Sequence, residues 1–138
     1  MQNLHNLLYR EEEREMNPFC NAEGIGLIPW SPLARGLLCR PWNTTTERSV
    51  KDARTKLWFN SEQDQGIVEK VEEIAEKKGV SMTAVATAWL LSKGECPIIG
   101  LGSVERIESV GEAFEVELSN DEVKDLESGY RPLAVTGI

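Results

Sequence analysis

Two short apolar runs, separated by helical patterns and each ending in a turn, are the feature that most constrains the fold of this chain. The run IGLI at residues 25–28 leads into the turn WSPLARG, and the run PIIG at residues 97–100 leads into LGS. Continuous apolar runs of this length are typical of strands that are buried on both faces. Their alternation with helices predicts an α/β fold, in which ligands bind at the carboxyl ends of parallel strands.

Four helices are predicted from their caps and their apolar periodicity. Each follows a serine that can cap it, and these serines are Ser61, Ser81, Ser103 and Ser119. Glu122 follows the last cap at the spacing of a capping box, and Asp64 follows the first cap at the same distance. The first two helices carry apolar stripes, formed by Ile67, Val68, Val71, Ile74 and Ala75 and by Met82, Val85, Ala86, Trp89 and Leu90. Gly79 and Gly94 are predicted to end these two helices.

Two further segments have weaker patterns. Residues 11–24 are rich in helix formers and Gly24 is a natural end, although Pro18 suggests a late start or a kink. Residues 37–60 are polar, lack a clear period and are longer than a typical connection. Such a segment is usually either a functional loop or disordered.

Length and charge bound the class of protein. The 138 residues, of which 41% are hydrophobic, suit one modest globular domain. A formal net charge of −8 argues against a nucleic-acid binder, because a phosphate backbone is held mainly by clustered lysines and arginines. No apolar run approaches the roughly 20 residues that span a bilayer, and the start of the chain turns acidic where a signal peptide would be apolar. We therefore expect a cytoplasmic protein with no nucleic-acid or membrane partner.

The cysteines do not indicate a disulfide framework or a metal site. Cys20, Cys39 and Cys96 are odd in number and far apart, with no C-x-x-C spacing, and the chain has a single histidine. Free thiols and no bound metal are expected.

Four stretches, taken in order, resemble the C-terminal half of an aldo-keto reductase. They are MQNLHNLLYR, LIPWSPLARGLL, CPIIGLGSVERIE and LSNDEVKDLE. The resemblance implies that residues 1–138 form the C-terminal portion of a (β/α)8 TIM barrel of the NADP-dependent oxidoreductase type. Strands six, seven and eight of that barrel would be residues 2–6, 25–30 and 96–100.

The resemblance also implies an NADP site at the ends of these strands. Trp30 would stack on the nicotinamide, and Gln2 would hydrogen-bond its carboxamide. The pyrophosphate would lie along the turn formed by Ser31, Pro32, Leu33, Ala34 and Arg35. An arginine close to phosphate oxygens gains charge-assisted hydrogen bonds.

The third stretch would hold the adenosine end of the cofactor. Gly100 and Gly102 would let the backbone approach the adenosine where a Cβ would obstruct it. Arg106 would face the 2′-phosphate. Arg40 and Arg48 are weaker candidates for closing over the cofactor.

Each assignment has a simpler alternative. Trp30 could be a core aromatic, although the S-P-L-x-x-G motif beside it favours the ligand. Arg40 is better interpreted as an ordinary surface charge, and the two interpretations are balanced for Arg35 and Arg48. A glycine pair can merely punctuate a turn. For His5, the only histidine, a structural role is favoured over a catalytic one.

The sequence departs from the family pattern in two ways. The family usually grips adenine with Glu and Asn where this chain has Ser109 and Val110, so adenine recognition should be weaker or different. The family's catalytic Asp, Tyr, Lys and His all come from the first half of the barrel, so we expect no catalytic residue in this chain.

The expected function is a segment of an NADPH-dependent reductase of aldehydes or ketones that contributes cofactor binding and is inactive alone. Residues 37–60 would form part of the substrate wall. The alternative is a noncatalytic module that binds a nucleotide or associates with another subunit through exposed strand edges. Because Met1 falls inside what should be a central strand, loss of a 5′ portion of the gene is favoured over a degenerate copy or a barrel completed by a second polypeptide.

Overall fold

Three extended segments lie side by side and parallel in the computed structural model. It describes residues 1–44, 46 and 53–135. A bridge between Leu4 and Trp30 pairs the first segment with the central one, and a bridge between Trp30 and Ile98 pairs the central segment with the third. The predicted parallel arrangement is therefore confirmed, and Trp30 lies at its centre.

The pairing between the segments is shorter than the predicted strands. Each neighbouring pair shares one bridge instead of a continuous ladder. Pro29 limits the pairing, because it has no N–H to donate to the third segment. The hydrogen bonds between the central and third segments accordingly run one way. Cys96 N donates to the Leu27 carbonyl and Ile98 N to the Pro29 carbonyl, both at 2.9 Å.

The expectation that these strands are buried on both faces is wrong. Leu27 is buried, whereas its neighbour Ile28 is 42% exposed and Ile98 is 47% exposed. Side chains alternate between the two faces of a strand. One face of the central segment is thus covered while the other is open to solvent. An apolar run indicates that both faces can be buried, but burial itself depends on what packs against each face.

Helices account for most of the regular structure in the described part of the chain. They are α1 (Met16–Ala22), α2 (Ala53–Trp58), α3 (Glu62–Lys78), α4 (Met82–Ser92), α5 (Val104–Gly111) and α6 (Asn120–Ser128), with 3-10 helices at Glu11–Arg14, Ala34–Cys39 and Glu112–Phe114. Serine caps are confirmed at the starts of α3, α4, α5 and α6, where each hydroxyl accepts a hydrogen bond from the backbone three residues later. Both α3 and α6 have complete capping boxes.

The core lies between α3, α4 and the extended segments. All ten residues of the two predicted apolar stripes are buried. Gly79 ends α3 in the left-handed conformation, as predicted. Helix α4 contacts α3, α5 and the 3-10 helix at Ala34–Cys39. It therefore supports the turn that follows the central segment as well as the helix that follows the third.

Of the two segments with weaker patterns, residues 11–24 were predicted well, whereas residues 37–60 were not. Within residues 11–24, α1 begins late, with Pro18 in its first turn, and Gly24 follows its end at a φ of 68°. Residues 37–60 were expected to be a loop, but they include the end of the 3-10 helix and the whole of α2. Arg48 lies outside the described residues.

Candidate functional site

A cleft of about 620 Å³ opens where the central and third segments end. One wall is the turn after the central segment together with its 3-10 helix, and the other is formed by residues 98–101 and α5. Thr83 of α4 lies at the cleft between these walls. The predicted placement of a ligand site at the carboxyl ends of parallel segments fits this cleft.

Three arginines converge on the cleft from its two walls. Arg35 lies in the first part of the 3-10 helix and Arg40 directly follows that helix, whereas Arg106 lies in the first turn of α5. No carboxylate is found among the described residues that line the cleft. Since the chain as a whole carries a net charge of −8, this local concentration of cations makes the cleft the natural place for an anion.

Two of these arginines, Arg40 and Arg106, lie four residues after a glycine. A β-carbon built on Gly36 would be 3.0 Å from Nη1 of Arg40, and one built on Gly102 would be 3.5 Å from Nη1 of Arg106. The first of these distances is too short for a comfortable contact, whereas the second is an ordinary one. Glycine at position 36 therefore allows Arg40 to lie against the backbone of the turn.

The turn has an unusual backbone. Ser31, Ala34 and Arg35 have φ values of 54°, 46° and 58°, and they are the non-glycine residues with positive φ in the described chain. Gly36 continues the run with a φ of 95°. Left-handed conformations of ordinary residues are costly and cluster at functional sites. This clustering at one wall of the cleft supports a role in ligand binding.

The amino end of α5 faces the same region. Ser103 caps it by accepting a hydrogen bond from Arg106 N at 3.4 Å. Helix amino ends carry partial positive charge, which adds to the charge of a nearby guanidinium when an anion approaches.

The cleft brings together most of the residues predicted to bind the cofactor, but not all of them. Those that line it are Ser31, Pro32, Leu33, Arg35, Gly100 and Arg106. Gly102 lies beside Arg106, and Trp30 is half-buried against the core at the bridge with Leu4 and Ile98. The side chain of Ala34 is fully buried in the core, so only its backbone could meet a ligand. Gln2 is exposed on the first segment.

Two further side chains at the cleft had no signal in the sequence, and Arg40 had only a weak one. Cys39 and Thr83 line the cleft, and burial raises the pKa of the Cys39 thiol despite the nearby charges of Arg40 and Arg106. Arg40, for which the sequence favoured an ordinary surface charge, is half-buried and lines the cleft. The shared spacing G-x-x-x-R at residues 36–40 and 102–106 could have indicated its position.

His5 has the structural role that the sequence favoured. Its ring is fully buried, with Nδ1 2.8 Å from Glu95 and Nε2 2.9 Å from Glu13. Burial alone would lower the pKa of His5, but the two carboxylates outweigh it and raise the pKa above its ordinary value. Both ring nitrogens then donate, and the imidazolium is neutralised within the protein core.

This histidine belongs to a larger network of charged side chains, in which His5 and Glu95 are buried and the others are partly buried. Arg10 contacts Glu13 at 2.6 Å and Glu127 at 2.9 Å, and Lys93 contacts Glu127 at 2.8 Å. Burial tends to raise the pKa of Glu13, but hydrogen bonds from His5 and Arg10 lower it to about 2. We refer to these charged residues as the His5 network, which comprises His5, Arg10, Glu13, Lys93, Glu95 and Glu127.

Neither tyrosine of the chain lines the cleft. Tyr9 is buried, and the hydroxyl of Tyr130 donates to Glu11 at 2.5 Å while accepting from Arg10 N. Burial and the Glu11 carboxylate raise the pKa of Tyr130 well above its ordinary value. Tyr130 is therefore a poor proton donor and is committed to contacts away from the cleft.

The described residues contain no group of three or more His, Cys, Asp or Glu side chains placed to hold a metal ion. No helix in the described part of the chain is long and apolar enough to cross a membrane. The three cysteines are unpaired.

Curated relatives match nearly the whole chain. A protein of Schizosaccharomyces pombe with the provisional name aryl-alcohol dehydrogenase is 50% identical over 139 residues, which are 99% of this chain and 40% of that protein. Versiconal hemiacetal acetate reductase of Aspergillus parasiticus is 48% identical over 140 residues, which are 98% of this chain and 41% of that protein. The chain thus spans about two fifths of the length of these relatives.

Solved structures with a similar fold are aldo-keto reductase (β/α)8 barrels. The glycerol dehydrogenase of Gluconobacter oxydans aligns with a TM-score of 0.78 and 23% identity, over 99% of this chain and 45% of that chain. A thermostable aldo-keto reductase in complex with the inhibitor epalrestat aligns with a TM-score of 0.67 and 27% identity, over 94% of this chain and 39% of that chain. The model of the aldo/keto reductase family matches residues 1–131. The chain therefore belongs to the aldo/keto reductase family.

Proposed function

We propose that this chain is the C-terminal portion of a (β/α)8 reductase of aldehydes or ketones, and that its cleft binds the phosphates and adenosine of NADPH. The observation that carries the proposal is the convergence of Arg35, Arg40 and Arg106 on one cleft without a carboxylate among its described lining residues. The family typically uses NAD(P)H. The preference for NADPH over NADH is part of this proposal.

The chemistry of the cleft fits the phosphates of this cofactor. A 2′-phosphate carries close to two negative charges at neutral pH, and arginine binds phosphate oxygens through charge-assisted hydrogen bonds. Arg106 and the amino end of α5 would hold the 2′-phosphate together. Arg35 and Arg40 would lie along the pyrophosphate, with Gly36 leaving room for Arg40.

The nicotinamide end would lie toward the centre of the three segments. Trp30 is half-buried there and would offer a ring face, and the exposed amide of Gln2 would bind the carboxamide. Adenine would bind without the Glu and Asn side chains that usually contact it in the family. Ser109 has its hydroxyl 2.9 Å from that of Ser81, and Val110 offers only an apolar surface.

Bound NADPH supplies the hydride that reduces a carbonyl carbon. The residues of this chain bind the cofactor and orient it, whereas proton transfer to the carbonyl oxygen requires an acid at the reacting end. Tyr130 is hydrogen-bonded to Glu11, and His5 is buried between two carboxylates, so neither is placed to act as that acid. The proposal therefore assigns catalysis to residues outside this chain and predicts no reductase activity for the 138 residues alone.

The setting that we propose is cytoplasmic, with a small carbonyl compound as the partner and no nucleic acid or membrane. The net charge of −8 and the three unpaired cysteines support it.

Calorimetric titration of NADPH into the chain tests the proposal. We expect binding that is weakened roughly a hundredfold or more by Arg40→Ala combined with Arg106→Ala, because each removed charge-assisted contact contributes on the order of 1.5 to 3 kcal/mol. Arg131→Ala is the matched control, since this arginine is exposed and does not line the cleft. Equal affinities for all three proteins would contradict the proposal.

A noncatalytic module that associates with another subunit is the second candidate. It is supported by the exposed apolar side chains of Met1, Ile28 and Ile98 on the extended segments. Sedimentation velocity distinguishes the two candidates. Self-association abolished by Ile28→Lys, together with no NADPH binding, would favour the module.

A further inference from the structure

Asn6 joins the ends of two neighbouring extended segments through a side chain that is fully buried. Its Nδ2 donates to the Ser31 carbonyl at 3.0 Å, while its Oδ1 accepts from Leu8 N at 2.9 Å. Its backbone N and O exchange hydrogen bonds with Tyr9 at 3.1 Å and 3.0 Å. One amide thus shapes the turn after the first segment and also fixes the turn after the central segment.

The Ser31 carbonyl, which accepts from Asn6, belongs to the turn that forms one wall of the cleft. It receives a second hydrogen bond from Ala34 N at 3.0 Å, so two donors fix the orientation of this peptide. Ser31 has a φ of 54°, a left-handed conformation that serine rarely adopts without support. From Ser31 onward the chain forms the wall that carries Arg35.

Asn6 itself does not line the cleft, so any effect it has on a ligand must pass through Ser31. We propose that Asn6 is a positioning residue whose amide holds Ser31 in the left-handed conformation and so preorganises residues 31–35 for the cofactor phosphates. This inference rests on the proposed function for its ligand. Its structural part, the hold on the Ser31 turn, does not depend on that function.

Asn6→Asp isolates the proposed contact. The carboxylate keeps an oxygen for Leu8 N but replaces the donor to Ser31 with an acceptor that repels the carbonyl. Asn17→Asp is the matched control, because Asn17 is also a buried asparagine but contacts Asn3 and Glu95 instead of the turn. If Asn6→Asp does not fold, Asn6→Ser replaces it, since a serine hydroxyl can still accept from Leu8 N but is too short to reach Ser31.

Amide hydrogen exchange measured by NMR without ligand tests the hold on the turn. In Asn6→Asp we expect amide exchange at Ala34 to accelerate about tenfold more than amide exchange in α3, because Ala34 N donates to the Ser31 carbonyl. Asn17→Asp should show no such selective change. Uniform acceleration across the chain would mean that Asn6 stabilises the fold without positioning the turn, and would overturn the inference.

NADPH titration then tests the link to the ligand. With Ser31 present, we expect Asn6→Asp to weaken NADPH binding about five- to tenfold. In the Ser31→Gly background the loss of affinity should be less than about twofold, because glycine adopts a positive φ without support. Equal fold losses in the two backgrounds would overturn the inference. Absence of NADPH binding in the unmodified chain would instead contradict the proposed function, and the exchange measurement would still decide the role of Asn6.

Discussion

The His5 network and the cleft use positive charge in opposite ways. In the network, His5, Arg10 and Lys93 each contact at least one carboxylate, and Glu13 contacts all three cations. In the cleft, Arg40 and Arg106 have no ion pair with a described carboxylate, and Arg40 instead donates to the Thr44 carbonyl at 3.3 Å. The network satisfies its own charges, whereas at the cleft we propose that a ligand supplies the opposite charge.

The two regions also differ in the backbone elements from which they are built. The network joins the first segment, the 3-10 helix at Glu11–Arg14, the residues after α4, and α6. The cleft wall instead contains a run of left-handed residues that ends at Gly36. We therefore expect substitutions in the network to lower stability, and substitutions of Arg40 or Arg106 to weaken binding of the proposed cofactor.

The largest expected effect comes from breaking the network. His5→Ala should lower the free energy of unfolding by about 3 kcal/mol, because it leaves the buried Glu95 carboxylate without its cation. Urea denaturation measures this. Lys124→Ala is the control, since that side chain is 77% exposed and should change stability by less than about 0.5 kcal/mol. Equal changes for the two variants would show that the network does not stabilise the fold.

The network should also make stability depend on pH. The pKa of His5 is raised in the folded protein above 6.5, so its contribution is complete below about pH 6.5 and is lost as the pH rises through the folded pKa. The pKa of Glu13 is lowered to about 2 from 4.5, so its contribution is lost only as the pH falls below about 4.5. Stability measured by denaturation from pH 5 to pH 9 should decline on the alkaline side. His5→Gln should flatten that decline, and an unchanged profile would contradict the assignment.

Smaller effects are expected from substituting the glycines that lie four residues before Arg40 and Arg106. Gly36→Ala should lower the free energy of unfolding by about 1 kcal/mol and weaken NADPH a few-fold, because it combines a positive φ with a β-carbon 3.0 Å from Arg40. Gly102→Ala should do less, since its β-carbon would meet Arg106 at an ordinary 3.5 Å. Thermal unfolding and NADPH titration of both variants measure the difference. The reverse order would show that Gly36 does not govern the position of Arg40.

Local signals in the sequence predicted local structure well. The cap at Ser61 depends on residues within one helical turn, and the stripe from Ile67 to Ala75 reflects the helical period, so both can be predicted without the fold. The resemblance to the family placed Arg106 and the Ser31 turn at the same cleft. Caps, stripes and family motifs can be recognised without knowing which distant residues pack against them.

The errors concern features set by distant contacts or by the backbone. Ile28 is exposed because nothing in the described chain covers its face, and no apolar run can reveal that. Ala34 has a φ of 46° and a side chain buried in the core, and the residue type predicts neither. The position of Arg40 depends on a glycine four residues earlier, and the hold of Asn6 on Ser31 joins residues 25 positions apart.

The same substitution made in both regions tests the account most directly. Arg10→Ala and Arg106→Ala each remove one guanidinium, from the network and from the cleft, and both the free energy of unfolding and the dissociation constants for NADPH and NADH are measured. We predict that Arg10→Ala costs about 3 kcal/mol of stability, because the side chain of Arg10 is only 12% exposed and contacts two carboxylates. Its cofactor affinities should stay nearly unchanged.

Arg106→Ala should show the opposite pattern, with stability changed by less than about 0.5 kcal/mol, NADPH weakened roughly tenfold or more, and NADH nearly unchanged. Equal losses for NADPH and NADH would mean that Arg106 does not bind the 2′-phosphate. A loss of stability in Arg106→Ala as large as that in Arg10→Ala would contradict the division of charge between the network and the cleft.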